Sequence, residues 1–144
     1  MSKHINSSNK GRTFEREICK ILAENFGGEY RRVPMSGGFM GGANRLRNKE
    51  VRQDAKDILS GDIICPDDFP FSVECKHHKE IRWTELNKYW IKIKEEANKM
   101  KRIPLLIYRE NRKPIMVMSL GNINGKLLRM STSLKLWIQT VEVD

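Results

Sequence analysis

The sequence has no apolar run long enough to cross a membrane and no signal-peptide pattern. Cysteine is also scarce, with Cys19, Cys65 and Cys75 as the only three. They form no CxxC pair, and their spacing suits neither a zinc site nor a disulfide framework. These absences argue against a membrane protein and a disulfide-stapled scaffold, and we expect a cytoplasmic protein in a reducing environment.

Acidic side chains are in short supply as well. The chain has 27 lysines and arginines against 18 acids, which gives a formal net charge of +9. Residues 60–80 reverse this balance, with two lysines against five acids. A basic protein with one acidic island indicates a surface for a polyanion such as DNA around a cation site. The alternative is a solvated basic surface that serves only solubility.

The length of 144 residues suffices for one domain with a hydrophobic core. Polar residues 1–10 predict a flexible arm, and residues 11–144 predict a single domain that carries a basic, glycine-rich insertion at 37–59. Helical periodicity predicts one helix from about Arg12 to Phe26 and a second from an N-cap at Thr84 to about Lys101.

Apolar runs bounded by turn residues predict the strands, which are Glu29–Val33, Gly61–Cys65, Phe71–Lys76, Pro104–Arg109 and Pro114–Ser119. The second and third of them are expected to pair as a hairpin. The tail from Leu134 to Val143 fits either a last strand or a short helix. This order predicts an α/β fold in which a mixed central sheet is flanked by helices.

Two strings inside the acidic island suggest chemistry. Asp62 precedes Glu74 by twelve residues, and Lys76 follows Glu74 on the same strand face. Two carboxylates can hold Mg²⁺ together with the backbone carbonyl of Cys75, and the metal would activate a water for phosphodiester hydrolysis. Lys76 could orient or deprotonate that water, or stabilise the anionic oxygen. The alternative is a surface Glu–Lys pair beside an unrelated aspartate.

The first predicted helix adds a third carboxylate. On a helical wheel Glu15 lies at the edge of the apolar face, where a carboxylate needs a partner. A metal or a metal-bound water would serve. The alternative is that Glu15 pairs with a lysine or arginine, or extends to solvent.

Together these residues resemble a known family. Asp62 followed by Glu74-Cys75-Lys76 resembles the PD-(D/E)XK nuclease motif, with Gly61 where the family often has proline. The string from Lys10 to Glu17 is similar to the opening helix of archaeal-type Holliday junction resolvases of the Hjc kind. The string from Arg32 to Gly38 is similar to their next strand and Ser-Gly turn.

The resemblance implies a restriction-endonuclease-like fold, a homodimer and dependence on Mg²⁺, with Mn²⁺ able to substitute. It implies that Glu15, Asp62 and Glu74 ligate or organise the metal and that Lys76 is the catalytic lysine. Ser36 would lie near the scissile phosphate. The residues expected to contact DNA are Lys10, Arg12, Arg16, Arg31, Arg32, Ser36, Arg45, Arg47, Lys49 and Arg52.

The function expected is therefore a metal-dependent endonuclease that resolves Holliday junctions or other branched DNA. The 25 residues between Ser36 and Asp62 exceed the corresponding link of such resolvases, which leaves the substrate open. One alternative is a nuclease of repair, recombination or restriction type that acts on non-junction DNA. Another is a DNA-binding protein of the same fold that does not cut. Trp90, Met116, Met118 or Trp137 could form the dimer surface.

Overall fold

The computed structural model describes residues 7–33 and 61–141. The predicted insertion at 37–59, most of the predicted arm, and the candidates Ser36, Arg45, Arg47, Lys49 and Arg52 lie outside the described residues. The elements in chain order are helix α1 (Ser7–Phe26), strands β1 (Arg31–Arg32), β2 (Ile63–Ile64) and β3 (Phe71–His78), helix α2 (Trp83–Lys99), strands β4 (Ile103–Glu110), β5 (Met116–Ile123) and β6 (Lys126–Ser133), and helix α3 (Leu134–Thr140).

Helix α1 forms because apolar side chains recur every fourth residue. Phe14, Ile18 and Leu22 lie on one face and are completely buried. The helix ends at Phe26 and is capped by Gly27, which has a positive φ of 72°. The Gly27 amide donates a hydrogen bond to the Ala23 carbonyl oxygen at 3.0 Å, as in a left-handed cap. Its start at Ser7 corrects the predicted start near Arg12. The added turn borders a cavity shared with the end of β3.

A four-stranded mixed sheet forms the centre of the fold, in the order β3-β4-β5-β6. Strands β3 and β4 are parallel, and α2 makes the crossover that a parallel pair requires. The remaining neighbours are antiparallel. Helices α1 and α3 cover one face of the sheet, and α2 covers the other. One apolar cluster lies between the sheet and the helices on each face. The predicted mixed α/β sheet flanked by helices is confirmed.

The prediction about strand pairing was wrong. The strand after Gly61 does not form a hairpin with β3. Strand β2 pairs with β1 instead, antiparallel, and β3 pairs with β4. The reason lies in the connection, because Phe69 is buried and its ring lies 5.1–5.4 Å from the rings of Phe26, Tyr30 and Phe71. The connection is therefore anchored in the core rather than free to form a hairpin turn.

Strand β6 was missed entirely by the sequence analysis. It joins β5 through Asn124 and Gly125, both with positive φ (52° and 77°), as a two-residue hairpin turn requires. After β6 the tail forms a short helix, α3, whose N-cap Ser133 accepts a hydrogen bond from the Leu136 amide at 3.1 Å. Thr84, by contrast, is not an N-cap, since α2 begins at Trp83.

The suggested dimer surface was also wrong. Trp90, Met118 and Trp137 are buried in the two core clusters, and Met116 packs against one of them. These side chains hold helices onto the sheet and are not exposed for a second copy.

Candidate active site

Asp62 is fixed at the open edge of β3 by its own backbone and side chain. Its amide donates to the Val73 carbonyl oxygen at 3.0 Å, and its carbonyl accepts from the Val33 amide at 3.0 Å. The carboxylate oxygen Oδ2 accepts from the Cys75 amide at 2.8 Å. Asp62 thus reaches β3 without being part of the sheet, and its side chain is held beside the residue that separates Glu74 from Lys76.

Glu74 and Lys76 point to the face of β3 that α2 covers. Glu74 is only 5% exposed, and its Oε1 lies 3.2 Å from Lys76 Nζ. The register Glu74↔Leu106 and Lys76↔Tyr108 places this pair against buried neighbours on β4. The predicted alternation of β3 is correct, but the face that carries Glu74 is not a solvent face. The alternative of an ordinary exposed surface pair therefore does not apply.

Asp62 has a perturbed pKa because it is buried close to a second carboxylate, Glu74. Burial, and then the charge of Glu74, raise the pKa of Asp62 to about 7. The hydrogen bond from the Cys75 amide and the positive charge of Lys76 act to lower that pKa. Burial alone would lower the pKa of Lys76, but Glu74 and Asp62 outweigh it and raise that pKa. Asp62 therefore titrates near neutral pH, and Lys76 remains a cation there. Such a cluster with a perturbed carboxylate is typical of functional sites.

Glu15 has the partner that the sequence left open. It is 7% exposed, and its Oε2 accepts a hydrogen bond from Arg32 Nε at 2.7 Å. This ion pair is the arginine alternative. Glu15 still lies close enough to Asp62 to add to the raised pKa of that aspartate. Arg32, which is expected to contact DNA, is held at the side of the site by this ion pair.

A divalent cation suits part of this donor set. Two buried carboxylates that repel each other would be relieved by a positive charge between them. In an extended strand the amide and carbonyl of one residue point to the same side, so the Cys75 carbonyl oxygen faces the edge where Asp62 lies. Within 7–33 and 61–141, however, no three His, Cys, Asp or Glu side chains are grouped as a ready metal site. The fit therefore rests on Asp62, Glu74 and a backbone carbonyl.

Comparison with known proteins decides the family. The family model described as "Phage putative PDDEXK endonuclease" matches residues 6–142, almost the entire chain. The chain belongs to this family of phage PDDEXK endonucleases. No curated protein matches the sequence. Among solved structures, the chain is similar to a 1.6 Å structure of Hjc, a Holliday junction resolvase from the archaeal hyperthermophile Archaeoglobus fulgidus, at 15% identity and a TM-score of 0.49, covering 92% of this chain and 98% of that chain.

This PDDEXK endonuclease has a structural reason for glycine before the aspartate. Gly61 has φ +80°, and a Cβ atom there would lie 3.0 Å from the Val73 carbonyl oxygen. Proline cannot reach that φ, because its ring fixes φ near −65°. Gly61 thus allows the chain to turn tightly against β3 and to present Asp62 at its edge.

The other predicted DNA contacts in this endonuclease differ in exposure and in their partners. Arg12 and Arg16 are exposed on α1, one turn apart and flanking Glu15. Lys10 is half-buried at the wall of a cavity. Arg31 is exposed and donates to Glu29 at 2.7 Å. Trp83 is 60% exposed, and the Arg129 guanidinium lies over its ring at 4.9 Å from the centroid.

Two residues of α2 were missed as part of the site. Lys76 Nζ lies 4.8 Å from the centre of the Tyr89 ring, and the Tyr89 hydroxyl lies 3.4 Å from Nε2 of His78. Burial and the charge of Glu74 raise the pKa of Glu96. Tyr89 and Glu96 are seven residues apart and so lie on one side of α2, beside its apolar stripe. That spacing is a signal the sequence carried, but nothing in it placed α2 over Glu74.

Proposed function

We propose that the protein is a divalent-cation-dependent endonuclease that hydrolyses phosphodiester bonds in branched DNA, as a Holliday junction resolvase does. The observation that carries the proposal is the buried pair Asp62 and Glu74 with Lys76 held 3.2 Å from Glu74. A carboxylate pair and a cation in one partly dry site match what phosphodiester cleavage requires. Membership of the PDDEXK endonuclease family supports the reaction class.

Asp62, Glu74 and the Cys75 carbonyl oxygen are the groups that would hold Mg²⁺, with Mn²⁺ as a substitute. Once bound, the ion would lower the pKa of a water ligand and offset charge on the phosphate. Glu15 is proposed to organise this site through Arg32 and its effect on Asp62 rather than to ligate the ion directly.

Lys76 has a charge-stabilising role in this proposal. The raised pKa of Lys76 keeps its ammonium group protonated at neutral pH, so it can donate to a non-bridging oxygen that gains charge in the transition state. Glu74 and the Tyr89 ring restrict where that ammonium group lies. Of the roles considered for Lys76, that of general base fits least, since a base must first lose its proton.

The preference for branched DNA is supported by two sequence features. The ordered set of Lys10-Gly11, Glu15-Arg16, Ser36-Gly37, Asp62 and Glu74-x-Lys76 resembles that of Holliday junction resolvases. The net charge of +9 suits a substrate that brings several phosphate backbones together. The same residues would also serve a nuclease of repair, recombination or restriction type that acts on plain duplex.

A substrate panel tests the proposal. The protein is incubated with Mg²⁺ and, in parallel, with a four-way junction, a three-way branch, plain duplex or single-stranded DNA of the same sequence. We expect paired nicks near the branch point of the junction and at least tenfold slower cutting of plain duplex. Equal cutting of all duplexes would instead support the non-junction nuclease. Salt-sensitive binding without any product would support a non-cleaving DNA-binding protein.

A homodimer is proposed as the working form, because two symmetric cuts need two active sites. Leu128 and Met130 share one face of β6, where they are 46% and 44% exposed. Leu136, at the start of α3, is 49% exposed. An exposed apolar patch is typical of an interface, and a second copy of the chain would cover it.

Sedimentation velocity on the full chain tests the dimer. Leu128→Asp is expected to shift the protein to monomer at micromolar concentration, because it places a charge in the apolar interface. Leu127 is 70% exposed and on the opposite face of β6, so Leu127→Asp is the matched control and should remain dimeric. A wild-type protein that sediments as a monomer would contradict the proposal.

A further inference from the structure

An open cavity lies beside the active site, at the start of α1. Its volume is about 490 Å³. Lys10, Thr13 and Glu17 line it from α1, His77 from the end of β3, and Arg109 and Arg112 from the far end of β4 and the turn after it. The His77 ring packs on the buried Phe14 ring with centroids 5.3 Å apart. The cavity, hereafter the α1 cavity, thus has a fixed floor and a charged wall.

The charged wall is positive on balance. Lys10, Arg109 and Arg112 face one acid, Glu17, which leaves two positive charges in excess. Glu17 Oε2 lies 3.4 Å from Arg109 Nη1, and Arg109 Nε also donates to the Lys113 carbonyl oxygen at 3.3 Å. Arg109 is therefore held in place and partly neutralised, whereas Lys10 and Arg112 supply the excess charge. Thr13 and Asn111 add neutral polar groups to the same wall.

The α1 cavity lies at the same end of β3 as the catalytic side chains. His77 follows Lys76 directly, but it lies on the face of β3 that α1 covers, whereas Glu74 and Lys76 lie on the face that α2 covers. The α1 cavity and the active site therefore border the same stretch of β3 from its two faces.

We propose that the α1 cavity binds an internal backbone phosphate of the bound DNA. This inference rests on the proposed DNA endonuclease function. Lysine and arginine with neighbouring hydroxyl and amide groups are the usual partners of backbone phosphates, and such contacts set the register of DNA without reading its sequence. A phosphate held here would position the bound DNA relative to β3.

A phosphate scan combined with variants of the α1 cavity tests this contact. Single methylphosphonates, which remove the charge of one phosphate, are placed at each of three positions on either side of the cut. Binding of each DNA is measured in Ca²⁺ with wild type, Lys10→Ala and Arg112→Ala. Lys20→Ala is the matched control, because Lys20 is exposed on α1 ten residues from Lys10 and lies on another side of the helix.

We expect one neutral position in the scan to weaken wild-type binding about tenfold. The same DNA should weaken binding by Lys10→Ala and Arg112→Ala less than twofold, because the contact is already lost. Each variant should also lower the slope of log K against log salt by about 0.9. Glu17→Gln should tighten binding, since it removes the acid beside Arg109, and a gain cannot result from misfolding.

The outcomes separate this inference from the proposed function. If wild type cuts DNA but no internal phosphate couples to Lys10 or Arg112, the α1 cavity is not a phosphate site, although the nuclease function stands. Coupling only to a terminal 5′-phosphate would overturn the inference as well. If wild type neither binds nor cuts any DNA, the proposed function itself is wrong.

Discussion

Replacing Lys76 by alanine is expected to reduce DNA cleavage by about 10²–10⁴-fold while leaving DNA binding within about threefold of wild type. The side chain is held at one point by Glu74 (3.2 Å) and by the Tyr89 ring (4.8 Å), and its pKa is raised, so it offers a fixed positive charge. A fixed charge contributes most when charge develops on the phosphate, which happens in the transition state. Single-turnover cleavage and equilibrium binding separate the two effects.

Two further variants sharpen this result. Glu74→Gln should abolish cleavage to a similar extent, because it removes both a carboxylate of the cation site and the partner of Lys76. Lys79→Ala is the matched control, since Lys79 is exposed three residues further along the chain. It should retain cleavage within about twofold. Cleavage at the wild-type rate by either Lys76→Ala or Glu74→Gln would contradict the assignment of the active site.

The active-site residues could be predicted because strand alternation is a local property. The spacing of Glu74 and Lys76 fixes them on one face of β3, whatever lies on that face. The position of Asp62 needed more than spacing. It is set by Gly61 at φ +80° and by the bond from the Cys75 amide, and both depend on how the chain approaches β3. The sequence pattern suggested a hairpin there, and the pairing with β1 shows that a nonlocal contact decided it.

Glu15 shows where the helical wheel stops being informative. The wheel placed Glu15 at the core edge, and its 7% exposure confirms this. The wheel cannot distinguish a metal from an arginine as the partner. That choice depends on β1, which brings Arg32 Nε to 2.7 Å from Glu15 although the two residues are 17 positions apart in the chain. Predicting a burial position was thus possible, whereas predicting the partner required the tertiary fold.

Strand β6 was missed although its turn was readable. Asn124-Gly125 is a strong two-residue hairpin signal. The strand it opens is largely exposed, so it lacks the clean alternation of apolar and polar residues by which a half-buried strand is found. Leu127, Leu128 and Met130 are apolar without being buried. The exposure of Leu128 and Met130, which helped to hide the strand, is therefore the same feature that suggests a second copy of the chain as its cover.

Replacing Asp62 by asparagine is expected to stabilise the cation-free protein above pH 7 while abolishing cleavage. Burial and the charge of Glu74 raise the pKa of Asp62 from 3.8 to about 7, and the charge of Glu15 on α1 adds to the increase. The hydrogen bond from the Cys75 amide and the charge of Lys76, both on β3, act to lower that pKa. Between about pH 4 and pH 7 the folded state holds a proton that the unfolded state has lost. The free energy of unfolding of wild type therefore falls as pH rises through this range. A shift of about three pKa units corresponds to roughly 4 kcal/mol at most.

Thermal unfolding in EDTA and in Mg²⁺, from pH 4 to pH 8, measures this effect. In EDTA, Asp62→Asn should unfold several degrees above wild type at pH 8 and near wild type at pH 4. Mg²⁺ should raise the Tm of wild type at pH 8 but not that of Asp62→Asn, because a cation that binds only the folded state stabilises it. Asp67→Asn, at an exposed turn position, is the matched control and should respond to Mg²⁺ as wild type does. Equal Mg²⁺ stabilisation of Asp62→Asn and wild type would remove Asp62 from the cation site, since the charge that attracts the ion would then lie elsewhere.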